Sequence, residues 1–431
     1  MQKAPYITGH LTEHCGDDSY GTLDGYLQRG GYAAAKKAIT EMTPEQVVDT
    51  VKASGLQGRG GACFPTGMKW SFMPKNTTKP KYICCNGDES EPGSFKDRLL
   101  LERTPHQLIE GLLIGAWAMG AQKTFVYIRG EYAAPATQME RAVEEAYAKG
   151  YLGKNVMGTG FAHDIVVARG AGAYIAGEET GLIESLEGKK AQPRKKPPFP
   201  AEHGVFGMPT TVNNVESFCH APHIISRGPQ WFRSMGTEKS PGTTLFGVSG
   251  HVVRPGLFEL PLGTPLDTLI FEHAGGLREG RKVKGVIPGG LSVPILPAGQ
   301  LDVPMANEAL QQRKSALGTG GIMVMDDTTC MVRVGCVISW FYREESCGQC
   351  TQCREGTGWL HKLMQRIERG AGSMDDLDVL LDVADKMEAK TICALSDAAA
   401  WPVQGLLRHF RADFEAHVKH GKCPFPQSFE L

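Results

Sequence analysis

The 431-residue chain lacks an apolar run long enough to cross a bilayer. Its most apolar long stretch, Leu108 to Ala121, is interrupted by Glu110 and falls short of the roughly 20 residues a membrane helix requires. It also lacks net charge: 46 lysines and arginines stand against 47 aspartates and glutamates, a formal −1, which argues against a general affinity for polyanions such as nucleic acid. The start, "MQKAPYITGHLTEHCGDD", has no apolar centre of the kind a secretory signal contains and carries acidic residues early. A cytosol or a similarly reducing compartment is therefore expected. No internal repeat is visible, and a hydrophobic share of 41% with 22% charged residues removes disorder as the default.

Cysteine and glycine are plentiful, at 12 and 53 residues. A chain of this length is expected to form two or three domains. Twelve cysteines in a large chain without a signal favour metal or redox use over disulfides. They are also unevenly placed: Cys347, Cys350 and Cys353 cluster, Cys84 and Cys85 adjoin, and Cys15, Cys63, Cys219, Cys330, Cys336, Cys393 and Cys423 are scattered.

Thr43-Pro44 with Gln46 reads as a capped helix start that ends at Gly55, and Thr104-Pro105 opens a second helix running to Gly120. "KYICCN", "KTFVYIR" and "DIVVA" read as strands, with helices between them, so Lys81 to Ala168 predicts a parallel sheet covered by helices. Gly188 to Gly204 is a proline-rich basic loop. Beyond about Arg233, "TTLFGVSGHVVRPGLFELP" predicts a hairpin turned at Arg254-Pro255-Gly256, followed by a short helix and the strand "VKGVIPGG": a small α+β module. Past Asp327 helical spacing dominates and predicts a bundle. The expected domains are thus 1–235, 236–326 and 327–431.

"ESCGQCTQCREG" places three thiolates on one tight loop, matching three corners of a [4Fe-4S] cube. Zinc is the rival, although it usually draws its ligands as two separated pairs; a redox dithiol would leave the third cysteine unused. The spacing leaves the fourth ligand open between Cys393, 40 residues beyond Cys353, and Cys423, which precedes Pro424 as in a ferredoxin run. Cys330 and Cys336 lie on an apolar helical stretch and read as small buried hydrophobes.

"GRGGAC" places Gly58, Gly60 and Gly61 where backbone can approach a phosphate or ring closely, but Cys63 stands where the full phosphate-loop pattern would have its last glycine. Phe64, Trp70 and Phe72 supply rings for stacking and Lys69 a cation for phosphate. "NGDESEPG" offers Asn86, Asp88, Glu89, Ser90 and Glu91 at the carboxyl end of a strand, and "GAGAYIAGEETG" repeats the device with Tyr174, Glu178 and Glu179. A divalent cation or a merely solvated loop are the other readings of these acids.

Taken together, "GRGGACFPTGMKWSF", "CNGDESEPGSFKDR", "ARGAGAYIAGEETGLIESLEG", "PRKKPPFPAEHGVFGMPTTVNNVE", "ESCGQCTQCREGT" and "TICALSDAAAWP" closely resemble the family of NADH-binding flavoprotein subunits of respiratory complex I, over nearly the whole chain. The resemblance implies an α/β fold: a Rossmann-like FMN and NADH domain, a small ubiquitin-like β-grasp (α+β) domain and a C-terminal four-helix bundle with a [4Fe-4S] cluster. It implies cluster ligation by Cys347, Cys350, Cys353 and Cys393. FMN would be held by Gly58, Arg59, Gly60, Lys69, Asn86, Asp88, Ser90, Tyr174, Gly177, Glu178, Asn213 and Asn214. NADH would lie against Gly61, Ala62, Phe64, Phe72, Glu91 and Glu179, with Lys196 and Phe199 nearby. In the family, glycine usually occupies the place of Cys63.

The implied reaction is hydride transfer from NADH to FMN, then single-electron transfer to the cluster and finally to quinone, with no side chain as obligatory acid or base. Glu179 and Glu91 would tune the site. Glu179 is expected to accept hydrogen bonds from the adenosine ribose and to repel a 2′-phosphate. Expected partners are a thioredoxin-like [2Fe-2S] subunit and a large multi-cluster subunit, on the cytoplasmic side of a bacterial membrane or the matrix side of a mitochondrial one. Two alternatives share part of the pattern. A diaphorase subunit of a soluble NAD-linked hydrogenase or formate dehydrogenase has the same motifs but often an added terminal domain, and a non-catalytic zinc- or cluster-binding assembly protein would explain the bundle without the flavin-site loops.

Overall fold

The computed structural model describes residues 9–278 and 280–425. The first apolar segments are strands: β1 (Tyr82–Gly87), β2 (Lys123–Ile128) and β3 (Asp164–Arg169), joined by β4 (Thr210–Asn214). They form one sheet in the order β3-β2-β1-β4, and every pairing is parallel. Helices follow the strands as the alternation predicts, at Pro105–Met119, Ala133–Ala148 and Glu179–Leu186. The helix Pro105–Met119 is buried on nearly all sides, with Leu108, Ile109, Leu112 and Leu113 fully inaccessible and three buried polar side chains, His106, Gln107 and Glu110. This is the Rossmann-like half of an α/β fold.

Local signals account for several element ends. Thr43 and Gln46 form a reciprocal capping box on Pro44–Ser54, and Gly55 closes that helix in the left-handed region at φ 70°. Thr104 behaves differently from the sequence expectation. Its hydroxyl donates to Leu100 O (3.1 Å) of the preceding helix Lys96–Arg103, so it ends one helix instead of capping the next.

The remaining strands are β5 (Thr243–Gly250), β6 (Gly256–Pro261), β7 (Val283–Ile287), β8 (Leu296–Pro297) and β9 (Gly321–Asp326), in the order β6-β5-β9-β7-β8. β9 runs parallel to β5 and antiparallel to β7. The predicted turn at Arg254-Pro255-Gly256 joins neighbouring strands, whereas the segment "GIMVMD", which becomes the central strand β9, is not among the strands predicted from the sequence. Four helices complete the chain: Met331–Glu345, Thr351–Glu368, Met374–Met387 and Leu395–His420.

Two compact units result. One comprises residues up to Ser90, Phe95–Phe246 and Leu257–Gly263; the other comprises Glu91–Ser94, Gly247–Gly256 and residues from Thr264 onward.

Candidate functional site

In the four-stranded sheet the chain moves from β1 outward to β2 and β3, then returns to the other flank of β1 as β4. The strand order therefore reverses between β1 and β4, and such a reversal opens a crevice at the strands' carboxyl ends. Asn86 of β1 lies in register with Asn214 of β4 at that end. Asn86 Nδ2 donates to Gly177 O (2.8 Å), its Oδ1 accepts from Asp88 N (3.0 Å), and Asn214 Nδ2 reaches Asn86 O (3.4 Å). Ser90 Oγ donates to Asp88 Oδ1. Asn86, Asp88, Ser90, Gly177, Asn213 and Asn214, far apart in sequence, thus meet at one sheet edge.

The glycine loop packs against the same edge. A Cβ on Gly60 would lie 3.1 Å from Asn214 Cβ, and one on Gly177 would lie 3.3 Å from Asp88 O, so at both places hydrogen is what permits the approach. Gly61 is left-handed at φ 113°, and Cys63 shares that region at φ 55°. This explains why glycine suits position 63: a side chain there costs about 1–2 kcal/mol. A β-branched residue is worse. Cys63→Val is expected to lower stability by about 2 kcal/mol and to loosen the loop, while Cys63→Gly should be tolerated; thermal unfolding and retained flavin measure both.

Trp70 is not available for stacking. It is buried at 1% exposure, lies near-parallel to Phe218 at 5.9 Å, and donates from Nε1 to Asn213 Oδ1 (3.1 Å), so it positions the end of β4. Phe64 and Phe72 do stand exposed, at 45% and 54%, with ring centroids 6.1 Å apart; Phe199 is exposed as well. Ala62 lies exposed beside them and Tyr174 is half-buried at the turn before Glu178. Arg59 is turned inward: its backbone N–H donates to Ser217 Oγ (2.9 Å) and its Nη2 to Pro241 O (3.2 Å) and Thr243 O (2.9 Å), which anchors the loop.

Lys69, Glu179 and Lys196 form a charge chain. Lys69 Nζ lies 2.9 Å from Glu179 Oε2, and Lys196 Nζ lies 2.6 Å from Glu179 Oε1 and 3.2 Å from Glu178 Oε1. Burial pushes the Glu179 carboxyl up, but the two lysines outweigh it and hold it below its ordinary value. Glu178 caps the following helix, accepting from Thr180 N (2.8 Å) and Gly181 N (2.9 Å). Glu91 belongs to the other unit, where its Oε1 accepts from Ser292 N (2.7 Å).

A buried ionic network lies under this edge, and no sequence motif announces it. Lys96, 2% exposed, lies 2.8 Å from Asp97 Oδ1, 2.9 Å from Glu216 Oε2 and 3.2 Å from Asn214 Oδ1. Asp97 Oδ2 in turn accepts from Asn214 Nδ2 (2.5 Å), and Glu89 accepts the backbone N–H groups of Lys96, Asp97 and Arg98, fixing the helix start. Glu89, expected among the ligand acids, is instead buried as a helix cap. Lys96 and Glu216 are 120 residues apart, and only the neighbouring motifs "SFKDR" and "NNVE" hint at their importance.

In the second unit the cysteine loop connects the first two helices of the bundle. Cys350 is the N-terminal cap of Thr351–Glu368 and Cys353 lies in its first turn, where burial raises the thiol and the Ser346 hydroxyl works against that rise. Cys353 is buried and lies 3.2 Å from Ser346 Oγ; Cys347, Cys350 and Cys393 are partly exposed. Ile392 N donates to Cys350 Sγ (3.4 Å), which brings the Cys393 segment onto the triplet from the loop before Leu395–His420. Groups that satisfy sulfur at Cys350 and Cys353, and three partly exposed thiols beside one buried one, suit an iron–sulfur cube.

Residues 51–223 match the Nuo51 FMN-binding domain, 244–324 the SLBB domain and 336–417 the NADH-ubiquinone oxidoreductase-F iron-sulfur binding region. The chain is 53% identical to the NADH-quinone oxidoreductase F subunit 2 of Rhizobium meliloti (strain 1021), over 94% of this chain and 96% of that one. It is 50% identical to the NADH-quinone oxidoreductase F subunit of Mycobacterium bovis, over 98% and 96%. Among solved structures, an NAD+-reducing [NiFe]-hydrogenase in the air-oxidized state superposes with a TM-score of 0.84 at 35% identity, covering 99% of this chain and 69% of that chain. The H2-reduced state gives 0.82 at 37%, covering 92% and 66%. With identity at this level sustained over nearly its entire length, the chain belongs to the family of NADH-quinone oxidoreductase F subunits.

Proposed function

We propose that NADH is oxidised at the carboxyl ends of β1 and β4, on FMN held there, and that the electrons leave through a [4Fe-4S] cluster on Cys347, Cys350, Cys353 and Cys393. The chain is the NADH dehydrogenase, electron-input subunit of a multi-subunit quinone oxidoreductase. The observation that carries the residue assignment is the convergence of Asn86, Asp88, Asn214 and the glycine backbone at the sheet's reversal point. The fit to a flavin nucleotide rests on the same place: a cradle that a Cβ at Gly60 or Gly177 would narrow, exposed Phe64 and Phe72 rings, and the Lys69 cation.

When bound, FMN takes two electrons as hydride and yields them one at a time, the conversion a one-electron cluster requires. The chain's own residues orient and exclude. Gly58, Gly60 and Gly61 bring backbone close; Asn86, Asp88, Ser90 and the Asn213–Asn214 pair supply directional donors and acceptors, and Gly177, with Tyr174 and Glu178 beside it in sequence, packs against Asn86 and Asp88. Arg59 acts at one remove, by anchoring the loop. Ala62, Phe64, Phe72 and Phe199 offer the apolar face for NADH, with Glu179 and Lys196 at the polar parts of the dinucleotide.

Glu179 sets the preference between NADH and NADPH in this reading, since a carboxylate beside the ribose repels a 2′-phosphate. Glu179→Gln leaves Lys69 without its counter-charge and Lys196 with Glu178 alone, and the ratio of NADPH to NADH rates should rise about tenfold, roughly 1.4 kcal/mol; steady-state kinetics with both nucleotides measure it. An unchanged ratio removes the role. The partners are a thioredoxin-like [2Fe-2S] subunit and a large multi-cluster subunit, with the complex seated on the cytoplasmic face of a bacterial membrane or the matrix face of a mitochondrial one. Among the described residues no helix is long and apolar enough to cross a membrane, which fits attachment through other subunits. A visible spectrum tests the whole: flavin bands that bleach on adding NADH support it, and a colourless zinc-loaded protein contradicts it.

The hydrogenase likeness favours a second reading, a diaphorase subunit. The chain accounts for 96% of the length of its quinone-oxidoreductase relatives against 69% and 66% of the hydrogenase chains, and the first reading is preferred.

A further inference from the structure

Cys423, a rival for the fourth cluster position on sequence grounds, lies instead with Cys330 and His417, and their ligand atoms all fall within 4.8 Å of one another. Cys330 and His417 are buried and Cys423 is partly so. We propose that these three side chains form a zinc site, separate from the iron–sulfur cluster, that fastens the chain beyond the last bundle helix to the start of the first.

The imidazole is set up for coordination. His417 Nδ1 lies 2.7 Å from Asp413 O, so Nδ1–H donates there and Nε2 keeps its lone pair, which faces Cys330 Sγ at 3.3 Å. A metal-bound histidine has its second nitrogen fixed in this manner. Cys330 Sγ accepts from Arg333 N (3.4 Å) at the helix start; Cys423 Sγ accepts from Phe425 N (3.4 Å) and, as a thiol, donates to Phe425 O (3.7 Å), a proton that metal binding displaces. Such N–H groups stabilise thiolate, the form that binds metal. Zinc–sulfur bonds near 2.3 Å and zinc–nitrogen bonds near 2.0 Å separate tetrahedral ligands by roughly 3.5–3.8 Å; Cys330 Sγ and His417 Nε2 stand 3.3 Å apart, and all three ligand atoms fall within 4.8 Å. Two thiolates and a neutral imidazole also cancel the charge of a divalent ion, as a site with two buried ligands requires. Water takes the fourth position. The donor set of two sulfurs and one nitrogen selects zinc over calcium or magnesium.

The test measures zinc and iron in the purified full chain, followed by X-ray absorption at the zinc edge. The expected result is about one zinc per chain, bound by two sulfurs and two lighter atoms, with zinc falling at least tenfold in Cys423→Ser and in His417→Gln while iron is unchanged. Three outcomes overturn it: no zinc in the unmodified chain, zinc surrounded by four sulfurs, which places it in the Cys347 loop, or a Cys330–Cys423 disulfide found by peptide mass.

Discussion

Lys96→Met is expected to destabilise the first unit by about 3–5 kcal/mol. Lys96 is 2% exposed and lies within 2.9 Å of two buried carboxylates, Asp97 and Glu216. Burial alone would lower the ammonium's affinity for its proton, yet the surrounding carboxylates raise it above the ordinary lysine value. Burial raises Asp97, whereas Glu216, though buried, is held low by Lys96, His220 and Arg59. Removing the cation strands negative charge where water cannot reach it, the costly way to break such a network. The double change Lys96→Met with Glu216→Gln should recover part of the loss, because one of the stranded charges goes with it. Urea unfolding of the single and double variants measures this, and a single-variant loss below about 1 kcal/mol would show that the carboxylates are solvated. Asn214 loses its contact with Nζ as well, so flavin content should fall before the fold does.

Acidification should cost at least as much by a different route. His163 and His220 are held at about 4 and His223 at about 3, and His10 lies lower still, in each case chiefly by burial. The neutral forms of His163 and His10 have partners in place, whereas Nε2 of His220 and of His223 is buried without a hydrogen-bond partner. His163 donates from Nδ1 to Ala121 O and accepts at Nε2 from Thr124, and His10 faces Glu259 on one side and His220 on the other. The unfolded chain protonates each near pH 6.5. Between pH 6.5 and about 4 the unfolded state therefore binds more protons than the folded one, and stability falls as pH falls; above 6.5 the contribution is flat. From pH 8 to pH 5 the loss is about 2 kcal/mol per histidine. Urea midpoints at pH 8, 6 and 5 should drop steeply over the last step, and His223→Phe should make that step shallower. Equal midpoints at pH 8 and pH 5 would mean that the cluster opens to solvent without cost.

These effects mark where the sequence can be read. The parallel sheet is legible because Lys81 to Ala168 alternates strand and helix with plain capping residues, and the Thr43–Gln46 capping box forms as its spacing predicts. The cysteine triplet is legible because its chemistry is local. What depends on distant packing is not. Trp70 has the composition of a stacking ring, but a tryptophan flanked by exposed phenylalanines carries no mark of facing inward, and it lies in the core against Phe218. Lys96 and Glu216 meet only when the sheet folds. Cys63 is visible as a departure from glycine, and its φ of 55° supplies the reason glycine belongs there. Cys330 has the setting of a small buried hydrophobe, yet it shares a corner with His417 and Cys423.

The central claim is that electrons from NADH leave through a cluster on Cys347, Cys350, Cys353 and Cys393. Electron paramagnetic resonance of the NADH-reduced protein tests it, with Cys393→Ser measured beside Cys423→Ser. The cluster signal is expected to disappear in Cys393→Ser and to persist in Cys423→Ser; a signal that survives the first change and is lost with the second would contradict the claim.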